Sequence, residues 1–194
     1  MMNWRYIPKS SFAIEPWKNG LGSTDIIAEA RLEGGSARGW DGLAWRLAQT
    51  EIASALAFSD HSGHDRHQVV VEGDGLFLDT PSATIDLSRP LKPVQYPGEL
   101  RIVSRLENGP VKVLNLMVNR VHAEANMTAM VAGCCASLLP GSQIFYAVRE
   151  NASLNVGSAA HHILAGDAIA FEATEPLAVS VESGIVVAAS IYAK

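Results

Sequence analysis

Short β-rich runs separated by turn residues fill most of this 194-residue sequence and limit what it can fold into. Helical periodicity is scarce, whereas apolar residues recur at strand spacing in runs such as "HQVVVEGDGLFLDT", "VKVLNLMVN" and "IVVAASIY". Gly, Pro, Asn and Asp punctuate these runs, and roughly ten or more short strands at such spacing are typical of a β-sandwich or β-barrel. The sequence therefore predicts an all-β fold with few or no helices.

Two segments of the chain resemble each other and suggest a duplication. "QVVVEGDGLFLDT" and "IFYAVRENASLNV" both have the pattern strand, polar turn, strand, with Val71 aligned on Val148 at an offset of 77 residues. Internal repeats of this kind indicate related structural units. We predict two barrel-like domains, residues 1–118 and 119–194, that fold together because each alone has too little core.

Charge and cysteine content narrow the class of protein. The formal net charge is -5, and Lys and Arg are scattered without runs, so no nucleic-acid partner is expected. The start lacks the apolar core of a signal peptide, and no stretch is long enough to span a bilayer. Cys134 and Cys135 are adjacent, which disfavours a disulfide and leaves no zinc motif. We therefore expect a cytoplasmic protein without a membrane partner.

The stretch "DHSGHDRHQVVVEGDG" contains three histidines and four acids, the composition of a metal site. In cupin barrels the metal-binding strand carries His-x-His and then Glu, because alternate side chains share a face. His64 and His67 are three residues apart and fall on opposite faces. The residues at the ligand spacing are Arg66, Gln68 and Glu72. Because arginine cannot bind a cation but suits a carboxylate, the strand predicts an anion site without a metal.

Three other segments contain candidate site residues. "PWKNGLGST" places Lys18 and Asn19 before two glycines, either as an anion-binding loop or as a hairpin turn anchored by Trp17. In "AWRLAQTEI", Arg46 either lies along an edge or points into a polar cavity. In "KVLNLMVNR", Asn115 shares a strand face with apolar residues and needs a partner, which is either backbone or a ligand.

Taken together, "PWKNGLGSTDIIAEA", "AWRLAQTEI", "LAFSDHSGHDRHQVVVEGDGLFL" and "VKVLNLMVNR" resemble the HutD/Ves family. These motifs cover roughly the first 120 residues of the chain. The resemblance implies a cupin-like double β-barrel, or bicupin, without the usual metal ligands, and a role in bacterial histidine utilisation. In one departure from the family pattern, Leu21 stands where the loop usually has the middle one of three glycines. It either narrows the pocket or faces away from it.

From this resemblance we expect a binding protein without a cofactor that modulates histidine utilisation. Its ligand would be a dicarboxylate or acylated amino acid such as formyl- or formimino-glutamate. Arg66 would bind one carboxylate and Lys18 or Arg46 a second, with neutral hydrogen bonds from amide side chains. The residues predicted to bind the ligand are Lys18, Asn19, Arg46, Arg66, Gln68, Glu72 and Asn115.

Two other functions fit the same residues. In the first, the protein is a metal-independent hydrolase or isomerase of such a compound, with Glu72 as general base. In the second, it is an interaction module that binds a pathway enzyme or regulator. Exposed sheet edges and the prevalence of closed symmetry also predict a homodimer.

Overall fold

The computed structural model of the protein describes residues 3–17, 22–35 and 39–194. Within these ranges the chain forms 18 β-strands and one 3-10 turn, Lys9–Ser11. The described residues include no helix long and apolar enough to cross a membrane. The predicted all-β class is therefore confirmed. In chain order the strands are β1 (Asn3–Ile7), β2 (Ala13–Pro16), β3 (Ser23–Arg31), β4 (Leu43–Ile52), β5 (His64–Glu72), β6 (Leu76–Asp79), β7 (Thr84–Leu87), β8 (Val94–Pro97), β9 (Val103–Leu106), β10 (Val111–Asn119), β11 (Ala123–Val131), β12 (Cys135–Leu138), β13 (Gly141–Ala147), β14 (Ala152–Val156), β15 (Ala159–Ile163), β16 (Ala168–Ala173), β17 (Leu177–Ser183) and β18 (Ile185–Ala193).

The strands belong to two compact units. The first unit, Ala13–Ala123, contains a six-stranded sheet in the order β2-β3-β4-β10-β5-β8 and a three-stranded sheet in the order β7-β6-β9. The second unit combines the N-terminal segment that ends at Phe12 with Glu124–Lys194. Its sheets have the orders β1-β16-β13-β18-β11 and β12-β17-β14-β15. Each unit is a pair of open sheets rather than a closed barrel.

The core of the first unit forms between its two sheets. Val70 on β5 and Val113 on β10 belong to one apolar cluster with Leu76 and Leu78 on β6, and all four are fully buried. Side chains alternate along a strand, so every second residue of these segments enters this core. Burial of one such side chain contributes about 1.5–3 kcal/mol, so the strand pattern of the sequence is also the pattern that stabilises the unit.

The predicted duplication is confirmed by the strand order. In the first unit β5 lies between β10 and β8, and in the second β13 lies between β18 and β16. The next strand along the chain also repeats its surroundings, with β6 between β7 and β9 and β14 between β15 and β17. The offset of 77 residues found in the sequence superimposes β5 on β13 and β6 on β14.

The two units divide the chain differently from the predicted domains 1–118 and 119–194. Strand β1 pairs with β16, with Trp4 opposite Phe171, so the N-terminal strand belongs to the second unit. The other boundary lies after Ala123. Local patterns predict strands but carry no information about a partner strand so distant in sequence, which accounts for the difference.

The interior of the second unit is an apolar core in which two phenylalanines pack among aliphatic side chains. At the offset of 77 residues, Phe145 occupies the position of Gln68 in the first unit. Phe145 and Phe171 are fully buried, and their rings meet edge to face at 6.0 Å between centroids. Such pairs pack apolar cores densely. The interior position that is polar in the first unit is therefore part of a closed core in the second.

We expect Gly73→Ala to destabilise the protein more than Gly109→Ala. Both glycines have positive φ, +78° and +97°, where an alanine costs roughly 1–2 kcal/mol. A Cβ on Gly73 would also lie 2.7 Å from the Pro110 carbonyl oxygen, whereas one on Gly109 would meet nothing within 4 Å. Urea unfolding of both variants measures the difference. Equal destabilisation would contradict the close approach at Gly73.

Candidate functional site

One face of the six-stranded sheet lines a cavity of about 420 Å³ in the first unit. Antiparallel pairing sets side chains of β4, β10 and β5 in rows, since directly opposed residues point to the same face. The cavity lies within the range of about 300–1,000 Å³ that is usual for small-molecule sites. One row is Arg46, Met117 and Arg66, and the next is Ala48, Asn115 and Gln68.

Loops and the edge of the sheet complete the wall of the cavity. Trp17, Trp40 and Phe58 contribute aromatic surface to it. The indole N–H of Trp17 donates to Thr24 Oγ1 at 2.9 Å, and its backbone N–H donates to the Gly22 carbonyl at 2.9 Å. These bonds join the end of β2 to the start of β3, and the two strands pair antiparallel with Pro16 opposite Ser23. Lys18, Asn19 and Leu21 lie outside the described residues.

Arg66 is a buried cation in this cavity. Its side chain lies against the rings of Phe58 and Tyr96, with centroids 5.0 and 5.8 Å from the guanidinium carbon, and its Nε is 3.3 Å from Met117 Sδ. Only 8% of the residue is exposed. Within residues 3–17, 22–35 and 39–194 no carboxylate forms an ion pair with Arg66. A buried charge without a counter-ion is costly, so the site suits an anion.

Gln68 stands beside Arg66 on the same face of β5 with its orientation set by Tyr96. The Tyr96 hydroxyl donates to Gln68 Oε1 at 2.7 Å. Burial raises the pKa of Tyr96 to about 12, so the phenol keeps the proton that it donates. Because the amide oxygen is occupied, Gln68 presents its NH₂ group as a hydrogen-bond donor.

Asn115 lies between Gln68 and Ala48 in the second row, as its place on β10 predicts. Its Oδ1 is buried and has no hydrogen-bond partner in the described part of the chain. A buried acceptor without a donor is uncommon and costs about 1–3 kcal/mol. The neighbouring backbone therefore does not satisfy this atom, and its contact with a ligand stays a prediction.

Arg46 points into the cavity, which settles the choice between an edge and a polar cavity, but its charge is already paired. Its Nε and Nη2 lie 2.7 Å from Glu29 Oε2, and its Nη1 lies 2.9 Å from Glu15 Oε2. The Trp40 ring covers the guanidinium at 5.2 Å. The contact of Arg46 with a second carboxylate stays a prediction, for a guanidinium whose charge is already shared by two acids. Arg46 instead connects β4 to the acids of β2 and β3.

The structure also corrects the position of Glu72. Pairing of β5 with β10 shifts register here, because Lys112 is opposite Glu72 while Val113 is opposite Val70. This β-bulge at Val71 interrupts the alternation that would place Glu72 beside Gln68. The exposed Glu72 carboxylate instead lies 2.6 Å from Lys112 Nζ and does not line the cavity. The enzymatic interpretation therefore loses its proposed general base.

The residues at the metal-ligand spacing do not fit a cation. Arg66 and Gln68 face the cavity, and Glu72 is outside it. Among the described residues no group of three or more His, Cys, Asp or Glu side chains is arranged to hold a metal ion. His67 lies on the strand face opposite Arg66 and Gln68, as strand alternation predicts.

Several residues of the site were not predicted from the sequence. Glu15, Glu29, Trp40 and Tyr96 contact the two arginines, and each comes from a different element or loop. Glu29 and Tyr96 extend the first row because they are opposite Arg46 and Arg66 in the sheet. The order of strands in the sheet would have revealed both of them.

Comparisons with family models, with protein sequences and with solved structures all find HutD or hut-region proteins. A family model described as HutD matches residues 9–188. An uncharacterised 21.2 kDa protein in the hutC 3′ region of Pseudomonas putida is 34% identical over 105 residues. That alignment covers 53% of this chain and spans about half, 51%, of the relative.

Two solved structures share the fold over nearly the whole chain. HutD from Pseudomonas fluorescens, solved in a formate condition, has a TM-score of 0.83 at 22% identity and covers 99% of this chain and 100% of its own. A conserved protein of unknown function from Pseudomonas aeruginosa has a TM-score of 0.84 at 23% identity and covers 97% and 98%. The fold likeness extends to a cupin barrel domain protein from Leptotrichia buccalis, with a TM-score of 0.52 at 10% identity over 88% of each chain. The fold is therefore cupin-like.

His61 lines the cavity in a form that resists protonation. Its ring lies 3.9 Å from that of Trp40 between centroids. Burial, followed by the charge of Arg66, lowers the pKa of His61 from 6.5 to about 4. Asp60 opposes this shift, whereas His64 and Arg46 add to it. The imidazole is therefore neutral at neutral pH.

We expect acid to destabilise the protein partly through His61. A folded-state pKa below the unfolded value contributes stability that is complete above pH 6.5 and is lost as the pH falls to about 4. After allowance for partial exposure the loss is about 1–2 kcal/mol. Urea unfolding at pH 7 and near pH 4 should show a smaller loss for His61→Gln than for the unmodified protein. The exposed His122→Gln serves as the control, and an unchanged loss in His61→Gln would contradict the argument.

Proposed function

Because the chain belongs to the HutD family, we propose that it is a metal-independent binding protein for a small carboxylate and that it modulates histidine utilisation. The relative in the hutC 3′ region of Pseudomonas putida supports the connection to that pathway. The ligand is an acylated amino acid or dicarboxylate, such as formyl- or formimino-glutamate, and the protein acts in the cytoplasm.

The observation that carries this proposal is the buried guanidinium of Arg66 without a carboxylate partner among the described residues. Its Nε faces Met117 and the guanidinium also hydrogen-bonds the Tyr96 side chain, so the rest of the fork remains for a ligand. The rings of Phe58 and Tyr96 restrict the guanidinium, which lowers the entropy lost on binding. A carboxylate binds such a fork through two parallel hydrogen bonds.

Neighbouring groups supply the polarity that an acylated amino acid requires. The NH₂ group of Gln68 can donate to a carboxylate or acyl oxygen, and Asn115 Oδ1 is an acceptor in need of an N–H. Thr50 and Thr24, whose hydroxyls are 3.2 Å apart, add further polar groups. Ile52 and Leu56 line the apolar part of the cavity, which would contact the carbon chain. A few converging polar groups in an apolar cavity are the usual composition of a specific site.

These features favour binding over turnover. The enzymatic alternative depended on Glu72 as a base inside the cavity, and that carboxylate is exposed and paired with Lys112. His61, the imidazole that lines the cavity, has a pKa near 4 and is a weak base. Reversible binding of a pathway intermediate needs only favourable contacts with the ligand, whereas its turnover would also need a base.

We expect Arg66→Gln to weaken binding of formimino- or formyl-glutamate by about tenfold or more, since a charge-assisted hydrogen bond contributes about 1.5–3 kcal/mol. Calorimetric titration measures the affinity directly. A thermal-shift assay supports it, because a ligand at a hundred times its Kd adds about 2.7 kcal/mol of stability.

The matched control is Arg105→Gln, which removes an exposed arginine paired with Asp79 and Glu107 away from the cavity. It should leave the affinity unchanged. Ligand-free melting curves identify any variant that fails to fold. An Arg66→Gln variant that is folded and binds with full affinity would disprove the site. Release of a product from either compound would show that the protein is an enzyme and not only a binding protein.

A further inference from the structure

We propose that Arg120, which lies outside the cavity, is a positioning residue that holds the His61 side of the cavity in place for the ligand. Arg120 contacts the backbone next to His61 and the first residues of β5, which precede Arg66. Because a positioning role is defined by the ligand, it rests on the proposed function and adds a residue to the site. It concerns the geometry of the cavity and makes no choice between ligands.

Arg120 follows the end of β10 and joins three segments of the first unit. Its Nε donates to Asp65 Oδ1 at 2.8 Å, and its Nη1 and Nη2 donate to the two carboxylate oxygens of Glu99 at 3.1 and 3.0 Å. Nη2 also donates to the His64 carbonyl at 3.2 Å, and the backbone N–H donates to the Gly63 carbonyl at 2.9 Å. The planar fork of arginine is suited to several acceptors at once. Arg120 therefore connects β10 to the start of β5 and to the turn after β8.

The turn after β8 is in direct contact with the segment that contains His61. The Gly98 N–H donates to the His64 carbonyl at 2.7 Å, and the Gly98 carbonyl accepts from the His61 N–H at 3.1 Å. A Cβ on Gly98 would lie only 2.6 Å from the His61 carbonyl oxygen, so the two backbones pack without intervening side chains. Glu99 is the next residue. Arg120 thus holds this contact from both sides, through Glu99 and through the His64 carbonyl.

The held segment forms one wall of the cavity. The residues that lead up to His61 line the cavity, and the His61 ring lies 3.9 Å from the Trp40 ring between centroids. On the other side of the contact, Asp65 is bound to Arg120 and directly precedes Arg66 on β5. Arg120 itself does not line the cavity. A wall that is fixed before the ligand arrives lowers the entropy lost on binding.

Arg105 provides a matched arginine for comparison. The Arg120 side chain is 40% exposed and paired with two acids, and the Arg105 side chain is 45% exposed and also paired with two acids. Such exposed ion pairs contribute little to stability. Arg105 lies on β9 and does not line the cavity. A purely structural role would make the two arginines equivalent, whereas a positioning role makes only Arg120 affect the cavity.

The titration of His61 reports the position of this wall without any ligand. Burial is the largest cause of the lowered pKa of His61, about 4 instead of 6.5. If the wall loosens, water reaches the ring and the pKa rises toward 6.5. Charged or titratable neighbours also act on the ring and are retained in every variant used below: Arg66, His64, Asp60 and Arg46.

The first test compares Arg120→Lys with Arg105→Lys by NMR of the histidine rings between about pH 7 and 5, where an unperturbed histidine titrates. Lysine keeps the positive charge but lacks the fork, so it cannot bind all the acceptors of Arg120. We expect the His61 ring to begin to protonate in this range in Arg120→Lys and to stay neutral in Arg105→Lys and in the unmodified protein. His61→Gln identifies the signal.

A second variant, Glu99→Gln, weakens the same contact from the other side. Loss of this negative charge alone would lower the pKa of a nearby histidine. A rise in the pKa of His61 in Glu99→Gln therefore reports movement of the wall and not a change in charge. Glu107→Gln, which removes an acid paired with Arg105, is the control and should leave the titration unchanged.

The ligand test is surface plasmon resonance of the full chain with formyl-glutamate. We expect the compound to dissociate about threefold to tenfold faster from Arg120→Lys, with little change in association, because changes at a binding site act mainly on dissociation. Arg105→Lys should keep both rates. Circular dichroism verifies that each variant is folded.

The outcomes distinguish the role of Arg120 from the proposed function. An unchanged His61 titration in folded Arg120→Lys and Glu99→Gln would overturn the role of Arg120 and leave the Arg66 site intact. Unchanged dissociation from a variant whose His61 titration has shifted would overturn it as well. If the unmodified protein binds no formyl- or formimino-glutamate, the proposed function is disproved, and the role of Arg120 toward a ligand with it.

Discussion

The site depends on the register between β4, β10 and β5. Because this pairing sets Arg46, Met117 and Arg66 side by side, a shift of one residue in any of the three strands would send its polar side chains to the other face. The apolar cluster around Val70 and Val113 resists such a shift. The same residues that stabilise the first unit thus hold two arginines, Asn115 and Gln68 in a fixed arrangement.

Arg46 and Arg66 have the same side chain, but their different neighbours in this arrangement give them different roles. Arg46 joins the acids of β2 and β3 and binds the edge of the sheet together. Arg66 is enclosed by Phe58 and Tyr96, which restrict its movement without neutralising its charge. Removal of one partner from a buried ion pair is destabilising, so Arg46 has a structural role that is independent of any ligand. The proposed ligand contact falls to Arg66.

Sequence patterns predicted the features that depend on alternation of side chains along one strand. They did not predict contacts between strands that are far apart in the chain. The all-β class, the repeat and the shared face of Arg66 and Gln68 follow from the regular spacing of β5. Glu72 does not follow this spacing, because the β-bulge at Val71 turns its side chain to the other face of the strand. The position of a bulge depends on the partner strand, here β10. The acids beside Arg46 and the pairing of β1 with β16 involve residues far apart in the chain. Such pairings are set by tertiary structure, which periodicity does not contain.

The closed apolar core of the second unit affects how many copies of the proposed site a chain has. Duplication would ordinarily provide two equivalent sites, but Phe145 and Phe171 pack where the first unit has its cavity. The proposed carboxylate site therefore occurs once in each chain, and its occupancy would rise hyperbolically with ligand concentration. A sharper response in the cell would require coupling to another chain or to another protein. The second copy has an apolar core where the first has the cavity of the proposed site.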